Sequence, residues 1–176
     1  KEKINMAFEA RLGKKQILLF RLLTDGAAAK AAKLAFQTEH EVGKTRDGDT
    51  TETKDGPITI SKGMEEEIPF KCIVGADDPT IEMLENAIDN EEILEVWEVD
   101  LTKETTGKYP AKYRQGLLTE MKTSANAEDL MELECTFKTN GIAQKGMATL
   151  TEEQKQVVQY AFRDTTPYTE PQPEEI

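Results

Sequence analysis

At 176 residues and 19.7 kDa, the chain is long enough for one domain with a hydrophobic core and short for two. Lys and Arg number 22 against 34 Asp and Glu, giving a formal charge of -12 and a pI of about 4.7. That balance disfavours tight nucleic-acid binding, which requires a basic surface to neutralise phosphates. No stretch approaches the roughly 20 apolar residues of a membrane span or the core of a signal peptide, so the expectation is a soluble protein that is not exported.

Gln16 to Leu23 is a β-type run apolar on both faces, with Ile17, Leu19 and Leu23 on one and Leu18, Phe20 and Leu22 on the other. Such a run requires a second layer or another subunit to cover it. A Gly/Ala-rich turn spans Thr24 to Lys30, and Lys33 to Glu39 then alternates as a half-buried strand with Leu34, Phe36 and Thr38 on one side. His40 to Gly56 has Val42 as its only large apolar side chain, with eight charges and three glycines. It reads as a long polar loop of the kind that is functional or disordered. Strand-like segments resume at Pro57 to Ser61 and Glu65 to Val74; Pro69 cannot donate to a ladder, which predicts an edge or a bulge there.

Asp78-Pro79 predicts a helix start, an Asp N-cap followed by Pro at the first helical position, with Ile81, Leu84, Ala87 and Ile88 on one face up to about Asn90. Residues 93 to 101 are strand-like, with Leu94 and Val96 in one phase and Trp97, Val99 and Leu101 in the other. A β-bulge near Val96 and Trp97 would bring all five to one face. Tyr113 to Thr123 and Leu130 to Thr139 form an antiparallel pair, with Met131, Leu133, Cys135 and Phe137 inward. Asn140-Gly141 is a turn leading to a short run at Met147 to Leu150. Thr151 to Gln154 is a capping box before a second helix, whose apolar stripe is Val157, Val158, Ala161 and Phe162. Three prolines after Asp164 make an extended arm. Many strands and two short helices predict a mainly β protein, an antiparallel sandwich or barrel with a flanking helix.

Catalytic chemistry is hard to find. His40 is the only histidine, lies between Glu39 and Glu41, and has no nucleophile motif to serve. Arg46-Asp47-Gly48-Asp49 lacks the spacing and the twelfth-position glutamate of a calcium loop. Cys72 and Cys135 fall at inward positions of apolar alternations and read as free buried thiols. Charge distribution is more informative: Asp77 to Asp100 holds ten acidic residues and no basic one, so this segment carries most of the net charge. A solvated helix face is the simple reading; a surface that repels a polyanion is the sharper one.

LAFQTEHEVGKTRDGDTTETKDGPI (Leu34 to Ile58), AKYRQGLLTEMKTSANAEDLMELECTFKTNG (Ala111 to Gly141) and TLTEEQKQVVQYAFRDT (Thr149 to Thr165) resemble the major tail protein, or tail-tube subunit, of long-tailed siphophages of Gram-positive bacteria. The resemblance runs from about residue 14 to residue 165. It implies a β-sandwich or barrel polymerising as stacked hexameric rings around a channel for genome ejection, assembled in the host cytoplasm and residing in the virion tail. It implies no catalysis, cofactor, metal or membrane. Its partners would be further copies of itself and the tape-measure, distal tail and tail terminator proteins, with double-stranded DNA passing through without specific binding.

On this basis the expected organisation is an N-terminal arm over 1–13, a tail-tube β domain over 14–163 including an extended loop at 40–56, and a C-terminal arm over 164–176. Leu18, Phe20, Val42, Arg46, Asp49 and Lys54 are the candidate contacts between subunits or rings, and Glu82, Glu85, Asp89, Glu95 and Glu98 the candidate acidic surface. Two competing expectations remain: a monomeric β-sandwich module binding carbohydrate or peptide, suggested by Trp97 and the polar loops, and an acidic hydrolase, suggested only by the number of carboxylates.

Overall fold

A computed structural model of the chain describes residues 10–155. Nine strands form one antiparallel sheet: β1 (Gln16–Leu22), β2 (Ala32–Lys33), β3 (Gln37–His40), β4 (Gly43–Thr53), β5 (Gly56–Ile73), β6 (Leu94–Asp100), β7 (Lys108–Ser124), β8 (Glu132–Thr139) and β9 (Gln144–Thr149). Helix α1 (Pro79–Asp89) links β5 to β6, and a short helix α2 (Glu152–Lys155) follows β9. Strand order is β2-β1-β6-β7-β8-β5-β3, with β4 paired to β5 and β9 to β7. The predicted C-terminal stripe Val157 to Phe162 and the C-terminal arm lie outside the described residues, as does the N-terminal arm up to residue 9.

The sheet curls until its two ends meet. Between β1 and β3 a side chain closes it: the Gln37 amide donates to the Leu18 carbonyl at 2.7 Å and accepts from the Leu18 N–H at 2.9 Å. One glutamine thereby satisfies both backbone groups that a neighbouring strand would otherwise pair. Inside the curl lies the main core of Leu18, Phe20, Leu34, Ile68, Phe70, Cys72, Val96, Leu133 and Phe137, sealed by Leu84 and Ala87 of α1. Asp78 caps that helix, accepting from the Thr80 N–H at 2.9 Å, while its other oxygen accepts from the Ala35 N–H at 3.0 Å. The predicted helix start and the side it buries are both observed.

A second cluster covers the opposite face of the same strands: Ile17, Leu19, Val99, Tyr109, Ala111 and Leu150, with Trp97 and Leu101 packed against it. The two-faced apolar run therefore finds its cover within one chain. Leu18 and Phe20, expected at a subunit contact, are instead buried in the chain's own core. No bulge brings the apolar residues of β6 together: its pairing with both β1 and β7 is continuous, so Leu94 and Val96 enter the main core while Val99 enters the second.

Other segments depart from the sequence reading. Lys33 to Glu39 is not one strand but is broken at Ala35-Phe36, where Phe36 adopts φ +49 and stands half-exposed. Gln37, expected outward, turns to β1. Pro69 lies in an interior strand, with β8 on one side and β3 on the other; the irregularity falls in β3, between Gln37 and Glu39. Met131 is exposed rather than inward, whereas Leu133, Cys135 and Phe137 are buried as expected. The capping box is present: Gln154 N–H donates to Thr151 Oγ1 and Thr151 N–H to Gln154 Oε1.

Gly116 marks where β7 changes partners. It pairs with Leu94 of β6 and Thr139 of β8, and a Cβ there would fall 1.9 Å from the Lys138 carbonyl oxygen. Only glycine permits that approach.

Candidate assembly surface

The largest departure from the sequence reading falls in the segment that holds the contact candidates Val42, Arg46, Asp49 and Lys54. Residues 40–56 are not a loop. β4 pairs with β5 along its whole length, from Gly43↔Glu67 to Thr53↔Gly56, and a two-residue turn at Lys54-Asp55 joins them. At roughly 3.3 Å per residue, the eleven residues of β4 make a ribbon about 35 Å long. Every residue of β4 is exposed, and β4 has a strand partner on one side only.

The ribbon has two faces, and a bulge changes which residues occupy them. Arg46 opposes Met64 while Gly48 opposes Ser61, so Asp47 stands opposite both Lys62 and Gly63. Below the bulge, Glu66, Ile68, Phe70 and Cys72 point into the body. Above it the alternation is reset, and Ile58 and Ile60, which would share that face in an unbroken strand, lie on the opposite one. They are 56% and 63% exposed. Beside them Lys62 pairs with Asp49 at 2.9 Å, while on the other face Thr50 and Thr59 hydrogen-bond at 3.1 Å. Of the contact candidates, Arg46, Asp49 and Lys54 are exposed on this ribbon, and Val42 sits half-buried at its root against the main core.

A buried ion network anchors the root. The Arg114 guanidinium, fully buried, donates from Nε to Glu66 Oε1 at 2.6 Å and from Nη2 to Glu98 Oε2 at 3.1 Å. Glu66 and Lys44 are directly opposed in the ladder, with Lys44 Nζ 3.5 Å from the second Glu66 oxygen, and Lys112 lies 3.5 Å from Glu98. Glu98 and Glu95, expected on an acidic surface, are therefore internal. Glu95 is buried, 2.6 Å from Arg21 Nε, and accepts from the Tyr113 hydroxyl. Both are withdrawn from solvent because cations and donors from distant strands meet them. Glu82, Glu85 and Asp89 are exposed on α1.

The remaining chemical candidates have structural roles. Burial pushes the Cys72 thiol up to about 11 and the Cys135 thiol to about 12, so neither is a thiolate nucleophile near neutrality. His40 is half-buried on β3 rather than solvated in a loop; burial holds its pKa below the ordinary value, with Arg114 acting in the same sense and Glu98 against it. Trp97 is half-buried: the Arg21 guanidinium lies 5.0 Å over its ring and Tyr113 packs at 5.1 Å. It is not the bare platform that a carbohydrate would need. Among the described residues no group of His, Cys, Asp and Glu is placed to hold a metal.

Residues 10–145 match the phage tail tube protein family. The chain belongs to this family. It is 30% identical over 158 residues to a tail protein of Staphylococcus phage phiMR25, covering 86% of this chain and 81% of that one. Its fold is similar to the SPP1 tail tube subunit, with a TM-score of 0.74 at 21% identity over 86% of this chain and 90% of that one. A gene transfer agent tail refined with C6 symmetry has a TM-score of 0.60 at 13% identity, over 77% and 98% of the two chains. The tail tube protein is thus a structural virion component and not an enzyme. Its mainly β architecture with a flanking helix is that of its structural neighbours.

Proposed function

We propose that this tail tube protein polymerises as hexameric rings stacked into the tube, and that the β4–β5 ribbon makes the contact between successive rings. The observation that carries this reading is the exposed Ile58–Ile60 face on a ribbon that extends from the body. An isolated two-stranded ribbon is marginal in water, and a large exposed apolar pair on it calls for a covering surface. A one-sided β4 edge adds a row of backbone donors and acceptors for the same purpose. Arg46, Asp49 and Lys54 would supply the polar rim of that contact, and Val42 would set the ribbon's root against the core. Leu18 and Phe20 take no part.

The sixfold symmetry of the gene transfer agent tail and the tubular assembly of the SPP1 subunit support the ring geometry. Partners at the two tube ends and a tape-measure protein in the channel follow from the same reading. The test replaces residues 46–64 by Asn-Gly, which closes the hairpin at its root. The expected product is a monomer that still unfolds cooperatively, its strand circular dichroism reduced by the excised residues, and that forms no tubes under negative-stain microscopy. Normal tube growth by that variant would refute the role of the ribbon.

A further inference from the structure

Resting on the polymerising reading above, a second contact is visible in the charges. A cleft of about 680 Å³ opens beside the start of β1, in a chain whose net charge is -12. Its lining holds Lys14, Lys15, Lys33 and Lys155, the last 2.8 Å from Glu152, against a single acid, Glu39, which is 3.1 Å from Lys71. Phe36 adds a half-exposed aromatic ring. Lys14 and Lys15 are exposed, and among the described residues neither has an ion-pair partner.

The complement lies on α1. Glu82, Glu85 and Asp89 follow one another at spacings of three and four, on the side of the helix away from Leu84 and Ala87. None has an ion-pair partner among the described residues, and no Lys or Arg occurs between Asp77 and Asp100. Carboxylates three and four residues apart repel one another, and Asp89 in the last turn also opposes the helix dipole. The helix carries these charges at a cost within the free subunit.

Among the described residues no ion pair joins the two surfaces within one chain. The cleft runs from the Gln16 end of β1 to Phe36, beside Gly75 just ahead of the helix cap, while the helix ends towards the far end of β1, where Leu23 N–H bonds the Ile93 carbonyl. Two complementary patches that do not pair within one molecule can make a heterologous, head-to-tail contact, the kind that closes rings or extends filaments. We infer that the acidic stripe Glu82–Glu85–Asp89 of one copy docks in the lysine-lined cleft of the next.

Charge reversal tests this with light scattering and negative-stain microscopy on the full chain. K14E/K15E carries two acidic surfaces and E82K/E85K two basic ones. Each alone should polymerise at least tenfold more slowly than the wild type, with unchanged circular dichroism and melting temperature. A 1:1 mixture should regain assembly, because in alternating order every cleft then meets a helix of opposite sign. The quadruple reversal should regain it in a single chain. Wild-type rates in either double variant, or failure of both the mixture and the quadruple variant to recover, would overturn the docking while leaving the tube reading intact. A wild-type protein that forms no polymer under any condition would overturn both.

Discussion

Replacing Arg114 by Met should unfold much of the protein's stability margin. The guanidinium is fully buried, as is the Glu66 carboxylate bonded to it at 2.6 Å, and Glu98 at 3.1 Å is only slightly exposed. With Arg114 gone, Glu66 keeps Lys44 at 3.5 Å, a cation whose own side chain is largely in water. Leaving one member of a buried pair uncompensated costs about 3–5 kcal/mol, a large share of the roughly 5–15 kcal/mol that holds a domain folded. At about 2–4 °C per kcal/mol for a chain of this size, the melting temperature should fall by about 10 °C. Converting both groups at once, Glu66→Met with Arg114→Leu, removes the two buried charges together and should fall within about 1 kcal/mol of wild type. Urea unfolding followed by fluorescence of Trp97, the chain's one tryptophan, measures both variants. A loss below about 1 kcal/mol for Arg114→Met, or a double variant less stable than Arg114→Met, would refute the reasoning.

Three further outcomes follow from the fold. Gln37→Glu keeps an acceptor for the Leu18 N–H but sets a carboxylate oxygen against the Leu18 carbonyl, and should destabilise the chain by about 1–3 kcal/mol in chemical denaturation, whereas a loss under 0.5 kcal/mol would mean that water closes the seam equally well. Gly116→Ala places a methyl 1.9 Å from the Lys138 carbonyl and should cost about 3 kcal/mol or more, read by the midpoint of thermal unfolding. His40 has a depressed pKa in the folded state, so below its unfolded pKa of roughly 6.5 the unfolded chain binds a proton that the native chain does not. Stability should therefore fall as pH drops from about 7 towards 5, and a His40→Gln variant should show a smaller fall in melting temperature over that range.

What could be read from the sequence and what could not divides along one physical line. Asp78-Pro79, the Thr151–Gln154 box and the Leu133–Cys135–Phe137 alternation are local signals, and each appears where expected. β4 was invisible because both its faces are wet: period-two alternation marks a strand only when one side is buried. Its cues were the threonines at 45, 50, 51 and 53 and the Lys54-Asp55-Gly56 turn, which are weak beside eight charges. Glu95 and Glu98 were misplaced on the surface because the cations that draw them inward lie far away in sequence, Arg21 by 74 residues and Arg114 by 16. Leu18 and Phe20 were assigned to a neighbour because nothing local reveals that β9, mostly exposed itself, leads into Leu150 of a second core. Ile58 and Ile60 stood in plain view as an alternation, but the bulge that turns them outward is set by pairing with Asp47, not by their own neighbours.

That bulge has an evolutionary corollary. The extra residue at Lys62-Gly63 is absorbed opposite Asp47, and the pairs on either side of it, Arg46 with Met64 and Gly48 with Ser61, share one face. Deleting Gly63 would leave Ser61 opposite Gly48 and Ile60 opposite Asp49, so Ile58 and Ile60 would keep the face they now occupy, away from Thr50 and Thr59. A single-codon change at this place therefore alters the ribbon's twist and leaves both the addresses of its side chains and the body's core untouched.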